Sequence, residues 1–347
     1  MSDLVNQEID SLLEETSRSF YLTLRALPSG IRPQVGLLYL LARTSDTIAD
    51  SEGGPADQLL SALEQYNERI QGRSDTLPDL AGLAELQGNP AEARLLENVA
   101  SSVACLDQFP AVDQQRIREC LDTIISGQTL DLQRFGGAAA GEVIPLVEEE
   151  ELDDYTYRVA GSVGEFWTHL TLEHLFKADK DTEARLFATG VRFGKALQLI
   201  NILRDLPVDL RLGRCYMPSA VLAEHDLVPA DLLEPGNIDR FRPVFDGYID
   251  MAGAHLDAAV EYIGLLPYSQ FRLRGACMLP VLIGQRTLRL LRTENVLDAE
   301  KRIKVLRPEI KILKNKTIFA LPSRRRSQNL LDADRNACRR PNQQNRP

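Results

Sequence analysis

An all-α chain is predicted, on three observations. Apolar residues recur at three- and four-residue steps, as from Ile9 to Leu12 and Leu13 in a stripe that also takes in Leu4, which is the spacing of a helix that buries one face. No alternating apolar–polar run of strand length occurs, so no sheet is expected. Neither Gly-x-Gly-x-x-Gly nor Gly-x-x-x-x-Gly-Lys-Ser/Thr is present, and these are the common phosphate-cradling signatures of α/β folds. No internal repeat of about 30 to 50 residues marks an α-solenoid.

Taken in order, residues 3–25 read as an amphipathic helix, and Pro28-Ser-Gly30 breaks the chain. Pro33 suits the first turn of the next helix, which Gly53-Gly54-Pro55 ends. A helix follows to about Gln71, then residues 72–89 form a loop with a short turn. Helices over 90–107 and 111–133 are separated by Phe109-Pro110. The second closes on Gly127-Gln-Thr-Leu-Asp131, and residues 136–141 are a Gly/Ala loop. Residues 153–176 are helical despite Gly161 and Gly164. Each interior glycine costs about 1 kcal/mol against alanine, so something must pack close there. Residues 181–205 form a long helix, and Pro207 is expected to disturb it just after Asp205. Two more helices follow at 238–263 and 269–293, the second kinked at Pro280.

No linker-like composition divides residues 1–322, so one helical domain is expected. From Ser323 the composition turns to Arg, Gln, Asn and Pro. Such a segment cannot bury a core, and 323–347 reads as a disordered basic tail whose charge could touch an anionic membrane surface. Of 347 residues 44% are hydrophobic, enough for a large core, and the net charge of −10 argues against a general nucleic-acid binder. The five cysteines (Cys105, Cys120, Cys215, Cys277 and Cys338) show neither Cys-x-x-Cys spacing nor a neighbouring histidine. They read as thiols of a reducing, cytoplasmic setting, not as zinc ligands. His169 and His174, five apart, are off the spacing of a helical metal pair. No leader sequence and no transmembrane run is seen.

The chemistry concentrates in two stretches. On the long helix Gln198, Asn201 and Asp205 recur at three- and four-residue steps, with Asp209 four further on and Arg204, Arg211 and Arg214 among them. A row that should be core but carries two amides and a carboxylate needs polar company, and a metal ion or a polyanion would supply it. Far upstream, Asp46 and Asp50 stand one turn apart, with Arg43 one turn before and Tyr39 one turn before that. Paired carboxylates so spaced suit Mg²⁺, a hard cation that takes oxygen ligands and commonly bridges to a substrate phosphate.

Four motifs then run in order: Ser17-Arg-Ser-Phe20, Asp46-x-x-x-Asp50, Tyr155-Thr-Tyr-Arg-Val-Ala-Gly-Ser-Val-Gly164, and Asn201-Ile-Leu-Arg-Asp-x-x-x-Asp209 with Gly213-Arg-Cys-Tyr-Met-Pro218. On these the chain, from about residue 15 to 290, resembles the squalene/phytoene synthases, the head-to-head prenyl transferases. The resemblance implies an isoprenoid-synthase helical bundle around one central cavity and a prenyl diphosphate substrate. It implies Mg²⁺ held by Asp46, Asp50, Asp205 and Asp209. Ser17, Arg18, Ser19, Arg43, Arg204 and Arg214 would lie about the diphosphate, with Gln198 and Asn201 bonding around them. Phe20, Tyr39, Tyr155 and Phe193 would line the prenyl cavity, and Tyr155 would handle a proton in the condensation. Asp131 is a weaker candidate for that cavity.

Asp46-Thr looks more like a squalene synthase than a phytoene synthase, although Ala49 and Ser51 stand where further acids are common. The basic run Lys301 to Arg307, with Lys304 and Arg307, sits where squalene synthases carry a nicotinamide-cofactor segment. The expectation is therefore two farnesyl diphosphates condensed through presqualene diphosphate and reduced by NADPH to squalene. The alternative is a phytoene or dehydrosqualene synthase that needs no reduction. A terpene cyclase or head-to-tail transferase would share fold and metals but not the Tyr155–Gly164 motif. A non-catalytic helical partner would not need a polar row on a buried face.

Overall fold

The computed structural model describes residues 7–51, 54–138 and 142–338. Helices dominate, as expected, and the only strands among the described residues are two pieces of two residues each. The chain forms two compact units: Met1–Gly137 with Phe166–Lys177, and Ala138–Glu165 with Ala178–Pro347. The chain changes unit after 137, 165 and 177, and only the first change falls at the Gly/Ala run. Composition therefore gives no boundary.

The first unit holds α1 (Gln7–Ala26), α2 (Arg32–Ala49), α3 (Ala56–Ile70), α4 (Ala81–Leu86), α5 (Pro90–Glu97), α6 (Val99–Ala104) and α7 (Ala111–Phe135). α2 places Leu37, Leu40, Leu41 and Ile48 in the core, each 0% exposed. Burial of one such side chain stabilises by about 1.5–3 kcal/mol. The helix expected over 90–107 is broken in the structure. The Asn98 side-chain amide donates to the Arg94 carbonyl at 2.7 Å, and a side chain that competes with the backbone in this way favours a helix end. α5 stops at Glu97, and a 3₁₀ turn over Cys105–Gln108 finishes the segment. Among the described residues of this unit one carboxylate, Asp113, is buried. Gln34 Nε2 donates to it at 2.9 Å and His174 Nε2 lies 2.7 Å away, the partners a buried charge requires. His174 is thus a structural tie.

The second unit holds β1 (Ile144–Pro145), α8 (Glu149–Thr156), α9 (Ser162–His174, through Glu165), α10 (Lys180–Arg211), β2 (Arg214–Cys215), α11 (Ser219–Ala223), α12 (Ile238–Leu265), α13 (Phe271–Thr293), α14 (Arg307–Ala320) and α15 (Arg324–Cys338). Between α8 and α9 the helix widens into a π turn over Tyr157–Gly161. A Cβ on Gly164 would lie 2.0 Å from the Gly190 carbonyl oxygen, and one on Gly194 2.0 Å from that of Ala160. Gly164 of the Tyr155–Gly164 motif is therefore accounted for by backbone contact with α10, whereas a Cβ on Gly161 would meet side chains, Tyr157 at 3.0 Å and Val191 at 3.3 Å.

α10 does not stop before Pro207; it runs to Arg211 with the proline inside it. Leu203, Leu206 and Leu210 carry one buried stripe across the proline, each 0–1% exposed. Their packing offsets the lost hydrogen bond, and Asp209 lies in the same helix as Asp205. Past α10, Gly213 adopts φ 77°, a left-handed turn that suits glycine. That turn lets Arg214–Cys215 pair in parallel with Ile144–Pro145.

The tail also differs from expectation. Over 324–338 the chain is helical, with Ser327 and Leu331, four apart, each 1% exposed. Gln285 Nε2 donates to the Leu331 carbonyl at 3.2 Å and Ser327 Oγ to that of Ala320 at 3.1 Å. One apolar face suffices to pack a helix that is polar on average. Residues 339–347 lie outside the described residues.

Candidate active site

In the first unit the site is built on the last turns of α2. Asp50 is the C-cap, and its N–H donates to the Asp46 carbonyl at 2.9 Å, so the two carboxylates keep helical register. Both oxygens of Asp46 are engaged: Oδ2 accepts from Arg43 at 3.0 Å, and Oδ1 from Gln128 Nε2 of α7 at 3.1 Å. A second Arg43 nitrogen binds Glu92 of α5. The Asp46 side chain is 47% accessible. Partial desolvation by the protein packed around it, then the charge of Asp50, raises its pKa, against the lowering effect of Arg43 and Gln128. For Arg43, burial disfavours the charge, but Asp46 and Glu92 outweigh it and raise the pKa. Tyr39 is close enough to add to that shift.

In the second unit the row on α10 is half-buried at Gln198, Asp205 and Asp209 and exposed at Asn201. Arg204 forks onto the carboxylate of its neighbour, with Nε 2.9 Å from Asp205 Oδ1, so this arginine is engaged with the acid itself. Asp209 lies near Cys215, whose thiol burial pushes up to about 12, with the Asp209 charge adding to the rise. The loop that carries Arg214 is thus brought beside Asp209. Tyr155 stacks on Tyr216, ring centroids 5.1 Å apart at 21°, and the Tyr216 hydroxyl donates to that of Tyr155 at 3.5 Å. Tyr248 donates to Glu149 Oε1 at 3.3 Å, and burial, then that carboxylate, raises its pKa. Phe193 makes an edge contact with Tyr262 at 6.3 Å.

Ser17, Arg18, Ser19 and Phe20 sit on α1, and their side chains lie outside the described residues. Asp131 is half-buried on α7, one turn after Gln128. Lys304 and Arg307 are exposed and line an open recess with Val305, Leu306 and Pro308 where α14 begins. Three partners were missed by sequence reasoning. Gln128 and Tyr216 lie inside motifs already singled out, and nothing marks Glu92.

The carboxylates fit a divalent cation. Asp46 has its pKa raised in part by Asp50, and a bound cation relieves that repulsion. Among the described residues no three His, Cys, Asp or Glu side chains form a ready cage. Each pair offers hard oxygens and leaves the remaining positions to water and phosphate, which is how Mg²⁺ is commonly held.

A family model described as squalene/phytoene synthase matches residues 13–309. Among curated proteins, a bifunctional lycopene cyclase/phytoene synthase of Gibberella fujikuroi is 33% identical over 265 residues, 74% of this chain and 43% of that protein. The chain thus spans less than half the length of this relative. Among solved structures, TcSQS in complex with the ligand E5700 superposes with a TM-score of 0.74 at 19% identity, covering 97% of each chain. A dehydrosqualene synthase with bound ligand superposes at 0.62 and 22%, covering 90% of this chain and 95% of that one. These two likenesses show the fold.

Proposed function

The chain belongs to the squalene/phytoene synthase family, and from that premise we propose that it joins two prenyl diphosphates head to head and releases the hydrocarbon without reduction, as a phytoene synthase. The observation that carries the branch is the curated relative named for phytoene synthesis at 33% identity. This reading replaces squalene and NADPH, which the Asp46-Thr pair and the basic run near Lys304 suggest from sequence alone. The fold is common to both branches and does not choose between them.

Asp46 and Asp50 on α2 and Asp205 and Asp209 on α10 would hold Mg²⁺. The bound ion supplies charge stabilisation to a departing diphosphate. Arg43, Arg204 and Arg214 add positive charge beside these acids, and a guanidinium matches phosphate oxygens with two donors. Gln128 and Arg43 orient Asp46, so the carboxylate does not need to reorganise when the substrate arrives. The allylic C–O bond breaks with its electron pair leaving on diphosphate, and the cation left behind must be kept from water. Tyr39, Tyr155 and Phe193 offer aromatic faces to it. The Tyr155 hydroxyl, bonded by that of Tyr216, would manage the proton given up in the condensation.

The test is product identity. Geranylgeranyl and farnesyl diphosphate are each supplied with Mg²⁺, with and without NADPH, and the hydrocarbon is identified by mass spectrometry. Phytoene from geranylgeranyl diphosphate, unchanged by NADPH, is expected. Squalene made from farnesyl diphosphate only when NADPH is present would restore the other branch.

A further inference from the structure

We propose that the outer face of α14, together with the basic turn that follows it, docks on an anionic phospholipid bilayer. α14 packs inward through Leu313, Thr317 and Ala320, which are 1–6% exposed. Its other side mixes cations with large apolar side chains, which a purely solvent-facing helix would not carry. Phe319 is 75% exposed, Ile312 54%, Ile318 53%, and Leu306 just before the helix 61%. Ile312 and Phe319 are seven apart and share one line along the helix. Arg307, Lys311 and Lys314, spaced by four and three, form a second exposed line, and Lys316 stands beside the first.

Charge says what kind of surface these residues meet. Residues 301–326 hold ten Lys or Arg and one acid, Glu309, in a chain whose net charge is −10. The positive charge is therefore gathered on one segment. Lys311, Lys314 and Lys316 make no ion pair among the described residues. Arg324, Arg325 and Arg326 open α15 and are exposed. Exposed aromatic and aliphatic side chains flanked by long cations are the composition of a helix lying in a membrane interface. There the apolar groups enter the acyl boundary while lysines reach up to the phosphates. No described helix is long and apolar enough to cross a membrane, so contact of this kind is confined to the surface.

The full chain is sedimented with vesicles of phosphatidylcholine alone and of phosphatidylcholine with phosphatidylserine, at about 0.1 M salt and at higher salt, where charge is screened. No substrate is used, so the outcome is independent of the proposed reaction. Binding to the serine-containing vesicles, weakened by salt and absent from pure phosphatidylcholine, is expected. Lys311→Gln/Lys314→Gln/Lys316→Gln should weaken it about 100-fold, near five-fold for each cation removed. Ile312→Ser/Phe319→Ser should weaken it as clearly, with circular dichroism unchanged because both side chains are more than half exposed. Equal binding to both vesicle types, or retained binding in either variant set, overturns the proposal. So does a wild-type dimer in solution that Phe319→Ser dissociates, which would make this face a contact between copies.

Discussion

The two carboxylate pairs have the same spacing and opposite support. Asp46 and Asp50 close α2, and Asp46 is gripped by Gln128 from α7 and by Arg43, which in turn reaches Glu92 on α5. Two elements remote in sequence hold one carboxylate, α7 directly through Gln128 and α5 through the Glu92–Arg43 pair. Asp205 and Asp209 lie within α10 on either side of Pro207, and Arg204, the neighbour of Asp205 in the chain, forks onto its carboxylate. Here the helix itself is what is held, by Gly164 and Gly194 in backbone contact and by the buried leucines that flank the proline. A site can thus position an acid by lashing its side chain or by fixing the helix that bears it. The two solutions fail in different ways when mutated.

The harshest way to break the comparison is to remove a charge from each pair. Asp46→Asn and Asp205→Asn should each lower turnover about a thousand-fold, the scale of losing one group that stabilises charge in the transition state. Diphosphate release from a prenyl diphosphate reports it. Wild-type rates in either variant would show that pair to be surface charge. Next in size is Tyr155→Phe, which keeps the stack on Tyr216 and loses the hydroxyl. Condensation should fall about 100-fold, the lower end of proton-transfer contributions, while the Mg²⁺ concentration for half-maximal rate stays put. A shift in metal requirement with unchanged kcat would assign the hydroxyl to the diphosphate end instead.

The difference in support itself is sharpened by Gln128→Leu. If Asp46 depends on remote lashings, the Mg²⁺ requirement should rise about ten-fold, as for the loss of an outer hydrogen-bond partner of a ligand. A Mg²⁺ titration of the rate that overlays the wild type would mean that α2 alone positions Asp46. The smallest effect concerns the anchoring of α10. Burial, then the charges of Arg192 and Lys195, push His255 from 6.5 down to about 4. On acidification the unfolded chain takes up this proton near 6.5 and the folded one only near 4, so stability falls across that window. Melting temperatures at pH 7.5 and 5 should differ less in His255→Gln than in the wild type. Equal differences would exclude His255 as a contributor.

Sequence reading carried far where the signal is local. Helix period and proline placement marked most of the α-helices, and the i, i+4 spacing of Asp46 and Asp50 carried straight into geometry. It went wrong where one buried face outweighed average composition. Residues 324–338 read as disordered from their arginines, yet Ser327 and Leu331 are enough to seat a helix. Pro207 is expected to disturb the helix, yet Leu206 and Leu210 carry the buried stripe across it.

What the sequence by itself determined is the family, the helical class and the residue types of the site, because motif order, periodicity and acid spacing are properties of the chain alone. Only the tertiary structure decided which partners those acids have. Gln128 lies 82 residues from Asp46, and Tyr216 lies 61 from Tyr155. No local rule couples positions so distant; they meet because α2 packs on α7 within one unit, and α8 and the β2 segment pack on α10 within the other. For the same reason the exposed phenylalanine of α14 could not be told from a core residue until the packing of Leu313 and Thr317 showed which face points inward.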